Sequence, residues 1–157
     1  MYGKRYLVIL FFAGSLFLTD SQQAFGAWCE ANYPALGRWE LIHILRDGSF
    51  SGVLDEYVDL RRIGNIRFKD DTCFTLFLYS RSAASSPGTN VQGAMRLLVI
   101  RNYEYIGMYA LDDPPVRIRE NKLEFKAPKD WGNVIEFTKN GPPEKIHLQG
   151  EFRTLFK

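Results

Sequence analysis

The stretch "KDDTCFTLFLYSR", Lys69 to Arg81, decides the fold. From its fifth residue onward, Cys73, Thr75, Phe77 and Tyr79 point one way along an extended chain, and Phe74, Leu76 and Leu78 point the other. Both sets are largely apolar, so the spacing predicts a strand with cover on both faces. Just before it, Asn65–Lys69 reads as the first arm of a hairpin that turns through Lys69, Asp70 and Asp71.

The same period of two recurs on both sides of this hairpin. Leu36–Leu45, Ala94–Tyr103 and Glu104–Leu111 read as strands, the last bent or bulged at Gly107. The turn "DDPP", Asp112 to Pro115, leads into Val116–Arg119. Leu123 and Phe125 then alternate with Lys122, Glu124 and Lys126, and Ile135 and Phe137 flank Glu136. "KNGPP" makes another turn, in which Asn140-Gly141 suits positive φ. A last strand is expected over Lys145 to about Phe156, with Ile146, Leu148 and Phe152 on one face. Ser51–Gly64 fits a helix or a strand, and a strand is expected for part of it. Arg81–Gly93, "RSAASSPGTNVQG", is small and polar and reads as a mobile connecting loop. Eight or nine short strands at this spacing predict an all-β chain, a single small antiparallel β-barrel.

Residues 1–26 read differently. Lys4 and Arg5 precede "LVILFFAGSLFL", an uncharged run from Leu7 to Leu18, and Ala24 and Gly26 supply small residues near its end. That is the pattern of a cleaved signal peptide, with the cut after Gly26. The apolar run is shorter than the roughly twenty residues of a bilayer span, so no stable membrane insertion is expected. Trp28 directly before Cys29 does not suit lipoprotein processing. Removing 26 of the 157 residues leaves 131, the length of one domain over 27–157. The removed part takes Lys4, Arg5 and Asp20 with it, so 18 basic and 17 acidic residues remain of 20 and 18. That balance offers no basic stripe for nucleic acid. The expected localisation is periplasmic or secreted.

Cys29 and Cys73 are the two cysteines, and both fall in the mature part. In an oxidising compartment an even pair reads as one disulfide, with two buried thiols as the alternative. His43 and His147 stand at no ligand spacing to each other or to the cysteines, so no metal is expected.

Gly37-Arg38-Trp39 near the start of the first expected strand resembles the lipocalin-like (calycin) pattern. The resemblance implies a barrel whose closed end is plugged by Trp39, with Gly37 passing beneath the floor and a late basic residue, Arg153 in "GEFRTLFK", lying over the indole. The parity that turns Trp39 and Leu41 inward also turns His43 inward, which strains that reading. A lid over the open mouth has no counterpart beyond Gly48–Gly64.

No nucleophile elbow, phosphate-cradling glycine loop or dinucleotide motif occurs, and no cofactor is implied. Asp70-Asp71 and Asp112-Asp113 fall in turns, where aspartate satisfies backbone amides. The chain is therefore expected not to be an enzyme. Aromatic residues make up 15% of it, enough to line a cavity with Phe68, Phe74, Leu76, Phe125 and Phe137. Two functions follow: an exported binding protein holding a small apolar ligand inside the barrel, as the resemblance implies, or an exported protein-interaction module, such as a hydrolase inhibitor, with a filled barrel. The binding barrel is the first expectation and the module the alternative: a cavity of about 300 Å³ or more favours the first, and a filled barrel with a protruding loop the second, since an eight-stranded barrel is just wide enough to pack solid.

Overall fold

A computed structural model describes residues 36–82 and 94–157. The expected signal peptide, Cys29 and nearly all of the Arg81–Gly93 loop lie outside the described residues.

The chain runs through α1 (Arg38–Asp47), β1 (Val58–Arg67), β2 (Cys73–Arg81), β3 (Ala94–Arg101), β4 (Glu104–Leu111), β5 (Pro115–Arg119), β6 (Lys122–Phe125), a 3-10 turn (Lys129–Trp131), β7 (Val134–Glu136), β8 (Lys145–Leu148) and β9 (Glu151–Thr154). Among the described residues the named strands pair antiparallel and between sequence neighbours, β1-β2-β3-β4, β5-β6-β7 and β8-β9, and one long-range bridge joins Met108 of β4 to Phe156. The chain is thus predominantly antiparallel β. Among the described residues no sheet closes on itself, so the barrel expected from the strand count is not what these ladders build. Closure is a property of register and of edge strands meeting, and short-range alternation does not encode either.

The β1–β2 hairpin forms as its pattern predicts, with Arg67 opposite Cys73 and a tight turn closed by Phe68 N–H to Thr72 and Asp71 N–H to Phe68. β2 is covered on both sides. Phe74, Leu76 and Leu78 join Leu97, Val99, Tyr109 and Leu111 beneath β6 and β7, where Leu123, Phe125, Ile135 and Phe137 close a first core. Phe77 and Tyr79 join Leu98, Ile100, Tyr105 and Met108 under Leu41 and Leu45 of α1 in a second. The four-stranded sheet is therefore the middle layer of the molecule.

Two irregularities fasten its edges. β1 bulges between Arg62 and Gly64, and Ile118 of β5 comes down on Gly64, within 2.9 Å of where a Cβ would stand. β4 slips against β3 near Gly107, as the glycine suggests. There the C-terminal segment crosses so closely that a Cβ on Gly107 would lie 3.0 Å from Leu155 and from the Phe156 carbonyl. Met108 and Phe156 exchange backbone hydrogen bonds at 2.7 and 3.0 Å. Tyr109 donates to the Pro143 carbonyl, tying β4 to the "KNGPP" turn.

Two expected strands are corrected. Leu36–Leu45 is not a strand: Arg38–Asp47 is an α-helix that buries Leu41 and Leu45 and leaves His43 exposed. Its apolar residues satisfy both periods, but 41, 44 and 45 lie on one helical face while the strand reading forces His43 inward. Leu41 N–H reaches Gly37 O, and the Glu40 carboxylate folds back so that a Cβ on Gly37 would sit 2.4 Å from its Oε2. At the other end Ser49 N–H bonds Arg46 O and Phe50 N–H bonds Leu45 O, a Schellman stop with Ser49 at φ 64°. The last strand is likewise two. Gln149 and Gly150, at φ 55° and 85°, make a two-residue hairpin turn between β8 and β9.

Among the described residues no helix is long and apolar enough to cross a membrane.

Candidate interaction surface

The five residues expected to line a cavity are all accounted for by one core. Phe74, Leu76, Phe125 and Phe137 are buried in the first core, and Phe68 packs against it. Their rings touch each other: Phe74 lies 5.5 Å from Phe137 and 6.1 Å from Phe68, centroid to centroid. A groove of about 320 Å³ does exist, but outside the sheets, between the end of α1 and the β3–β4 turn. Ile44, Tyr103 and Tyr105 line it together with Asp47, Ser49, Glu104 and Lys157, so it is a mixed surface groove and no apolar interior.

The residues expected at a barrel floor are apart. Gly37 starts α1 and Trp39 stands on it 73% exposed, so the indole plugs nothing. Arg153 belongs to β9 and pairs with Asp112 and, at 3.2 Å, with Glu151. Cys73 is buried at the start of β2, held at both backbone atoms by Asn102. His43 and His147 sit on different elements, both exposed. Among the described residues no group of three or more histidine, cysteine, aspartate or glutamate side chains is placed to hold a metal. The paired aspartates serve turns. Asp70 accepts from Thr72 N–H at 3.2 Å, and hydrogen bonding from Thr72 holds its carboxyl below the ordinary aspartate value. Asp71 pairs with Arg67.

Large rings are presented instead at the β8–β9 hairpin. Phe152 is 85% exposed and faces His147 across the ladder, ring centroids 5.2 Å apart. Trp131, 57% exposed, ends the 3-10 turn beside them. The hairpin cannot drift from that turn. Gly150 N–H bonds Trp131 O at 2.6 Å and Gln149 N–H bonds Gly132 O at 2.9 Å. A Cβ on Gly150 would touch the indole at 3.5 Å, and one on Gly132 would meet the His147 carbonyl at 1.9 Å. Only glycine, at φ 70°, allows that approach. On the far side Gln149 accepts from Asp112 N–H and donates to Asp113 O, while Arg153 grips Asp112. Two turns thus converge on the turn of one short hairpin and hold two large rings and an imidazole outward on fixed backbone. Exposed aromatic side chains on rigid supports give large contact area at low entropic cost, which is what protein-binding hot spots use.

Neither Trp131 nor Phe152 stands out in the sequence as an exposed ring. Phe152 has the parity of Ile146 and Leu148 if the segment is a single strand, and the two-residue turn shifts it outward. The signal is "QG" at Gln149-Gly150, a weaker turn pair than the Asn-Gly of "KNGPP".

Comparison with protein-family models, with curated proteins and with solved structures finds no match to this chain.

Proposed function

We propose that this chain is an exported protein-interaction module, not a carrier of a small apolar ligand and not an enzyme. The observation that carries the reading is the filled interior. Each residue suited to line a ligand cavity is packed against the chain's own side chains in one core. A carrier needs a largely pre-formed apolar pocket. Export rests on the sequence of residues 1–26 and places the protein in a periplasmic or secreted setting. The buried Cys73 supports a disulfide to Cys29 there. The meander order of strands suits a distant kinship with lipocalin-like barrels, while the exposed Trp39 argues against it.

The binding surface we assign is the Trp131–His147–Phe152 face, and the partner is an exported protein. Native mass spectrometry of the protein taken from its own exported compartment tests this. The expected spectrum shows the chain with a protein partner and without a retained small molecule. Phe152→Ser should remove the partner and leave the fold intact. A retained apolar molecule in the mass of the isolated chain would reverse the conclusion.

A further inference from the structure

Among the described residues Asn65, Asn102, Asn121 and Asn133 are followed by Ile66, Tyr103, Lys122 and Val134, whose side chains crowd their own backbone nitrogens. Asn140 alone among them precedes a glycine, Gly141. The turn 138–141 that carries this pair lies between β7 and β8. Asn140 is exposed, and its side-chain amide has no hydrogen-bond partner among the described residues. By contrast Asn102 Oδ1 accepts from Cys73 N–H, and Asn121 Nδ2 donates to the Phe137 carbonyl at 2.9 Å. A Cβ on Gly141 would meet nothing within 4 Å, so a ring has room to form beside its nitrogen.

The closed turn restrains that nitrogen. Gly141 is buried, and it exchanges backbone hydrogen bonds with Thr138, both at 3.0 Å. Thr138 Oγ1 adds two more, donating to the Gly141 carbonyl at 3.0 Å and accepting from Asn140 N–H at 3.3 Å. Thr138, Lys139 and Asn140 are all exposed, and turns held by a few exposed bonds open at small free-energy cost. The pair Asp47-Gly48 is held differently. Gly48 N–H bonds Ile44 O at 2.9 Å at the end of α1, and a Cβ there would lie 2.5 Å from Tyr105 Cβ, so no ring has room.

We propose that Asn140 is a modification site: when the turn opens it deamidates through a succinimide, and the isoaspartate product loosens the tie between this turn and β4. The Gly141 nitrogen gives its proton to water and attacks Cγ of Asn140. The N–Cγ bond forms, the Cγ–Nδ2 bond breaks, and the amide nitrogen leaves as ammonia. Water then opens the ring. Attack at Cγ yields aspartate, and attack at the backbone carbonyl carbon of residue 140 yields isoaspartate, whose main chain runs through Cβ and Cγ. Aspartate keeps the path of the turn and adds a negative charge beside Lys139. Isoaspartate lengthens the main chain by one carbon, which breaks the Thr138–Gly141 exchange and displaces the prolines that follow. Tyr109 of β4, fully buried, donates its hydroxyl to the Pro143 carbonyl, so the displacement takes away that acceptor. The site is independent of the hairpin surface and of the partner assigned to it.

Incubation of the purified full protein in mildly alkaline buffer, followed by peptide mapping with aspartate and isoaspartate resolved, tests the inference. The expected result is conversion at Asn140 to both products, with no isoaspartate at Asp47. The folded protein should convert about tenfold more slowly than the urea-unfolded chain, the effect of one or two exposed hydrogen bonds that must open first. Thr138→Val, which removes both hydroxyl bonds, should bring the folded rate several-fold closer to the unfolded one. The isoaspartate fraction should show a lower thermal midpoint than Asn140→Asp, which carries the charge without the longer chain. An Asn140 that stays intact in the folded wild-type protein while the unfolded chain converts overturns the inference. So does isoaspartate appearing as fast at Asp47, or an unchanged rate in folded Thr138→Val. Equal midpoints for the isoaspartate fraction and Asn140→Asp overturn the link to β4.

Discussion

At Ser49 and Gly132 the backbone adopts the same left-handed conformation with opposite consequences. Ser49 closes the stop of α1 at φ 64°, its backbone N–H bonded to Arg46 O. A residue with a Cβ is strained in that region by roughly 1–2 kcal/mol, and glycine is not. Ser49→Gly should therefore stabilise the protein by about 0.5–1 kcal/mol once glycine's greater unfolded-state freedom is subtracted. Urea unfolding of the two proteins reads the difference. Gly132 already has the residue its φ of 70° asks for, and its neighbour leaves no room, with the His147 carbonyl oxygen 1.9 Å from where a Cβ would stand. Gly132→Ala should cost about 2–4 kcal/mol from strain and overpacking together. It should also loosen the hairpin that carries Phe152, visible as faster amide exchange at Gln149 and Gly150. Cost without that loosening would mean that the 3-10 turn, not the hairpin, absorbs the clash.

At the level of elements, α1 is where the sequence misleads and the β1–β2 hairpin is where it does not. In "TCFTLFLYSR" the consecutive positions from Cys73 to Tyr79 obey one period and a turn precedes them, so no other geometry fits both faces. In "RWELIHIL" the apolar residues suit either period. The decision comes from what lies above the sheet: Leu41 and Leu45 meet Phe77, Leu98 and Met108 only as a helix does, four residues apart. The helix placement has a measurable consequence for Trp39. An indole closing a barrel floor would cost about 3–5 kcal/mol on truncation to alanine. Exposed on α1, it should cost within about 0.5 kcal/mol, while Leu45→Ala should cost about 2–4 kcal/mol. A second inter-element tie is titratable. Arg81 of β2 donates twice to Asp55, at 2.7 and 3.2 Å, and this holds the Asp55 carboxyl below its ordinary value. A depressed folded pKa means the contribution is present above the unfolded value and is lost as pH falls through the folded one. Acid should therefore loosen the join between β2 and the segment after α1, and Asp55→Asn should flatten the stability profile below about pH 4. An Asp55→Asn profile that keeps the wild-type acid slope would assign that slope to other carboxylates.

Over the whole molecule, the layers follow from the double apolar character of β2 and β3, which the sequence displays residue by residue. The joins between the sheets do not. Ile118 over Gly64 and Phe156 bridging to Met108 are contacts between segments dozens of residues apart, and no local pattern names the partner. The same limit applies to the candidate surface: it exists because three turns meet, and each turn alone looks ordinary. One long-range join is nevertheless within reach of sequence reasoning, because cysteine chemistry names its own partner. Cys73 lies 3% exposed at the beginning of the central strand β2, and Asn102 fixes its backbone at N and O. A disulfide to Cys29 would anchor the chain ahead of α1 to the middle layer. It would close a loop of about 44 residues, worth roughly 3–4 kcal/mol in the chain-entropy account. The protein unfolded without reductant should then show no thiol to a labelling reagent, and reductant should lower its urea midpoint by a matching amount without changing the slope. Cys29→Ser should reproduce the reduced midpoint, and reductant should have no further effect on it. Two reactive thiols per unreduced chain would remove the tie. The buried Cys73 would then act as a small apolar side chain at the start of β2, and the hold of α1 on the sheet would rest on the packing of Leu41, Leu45 and Phe50.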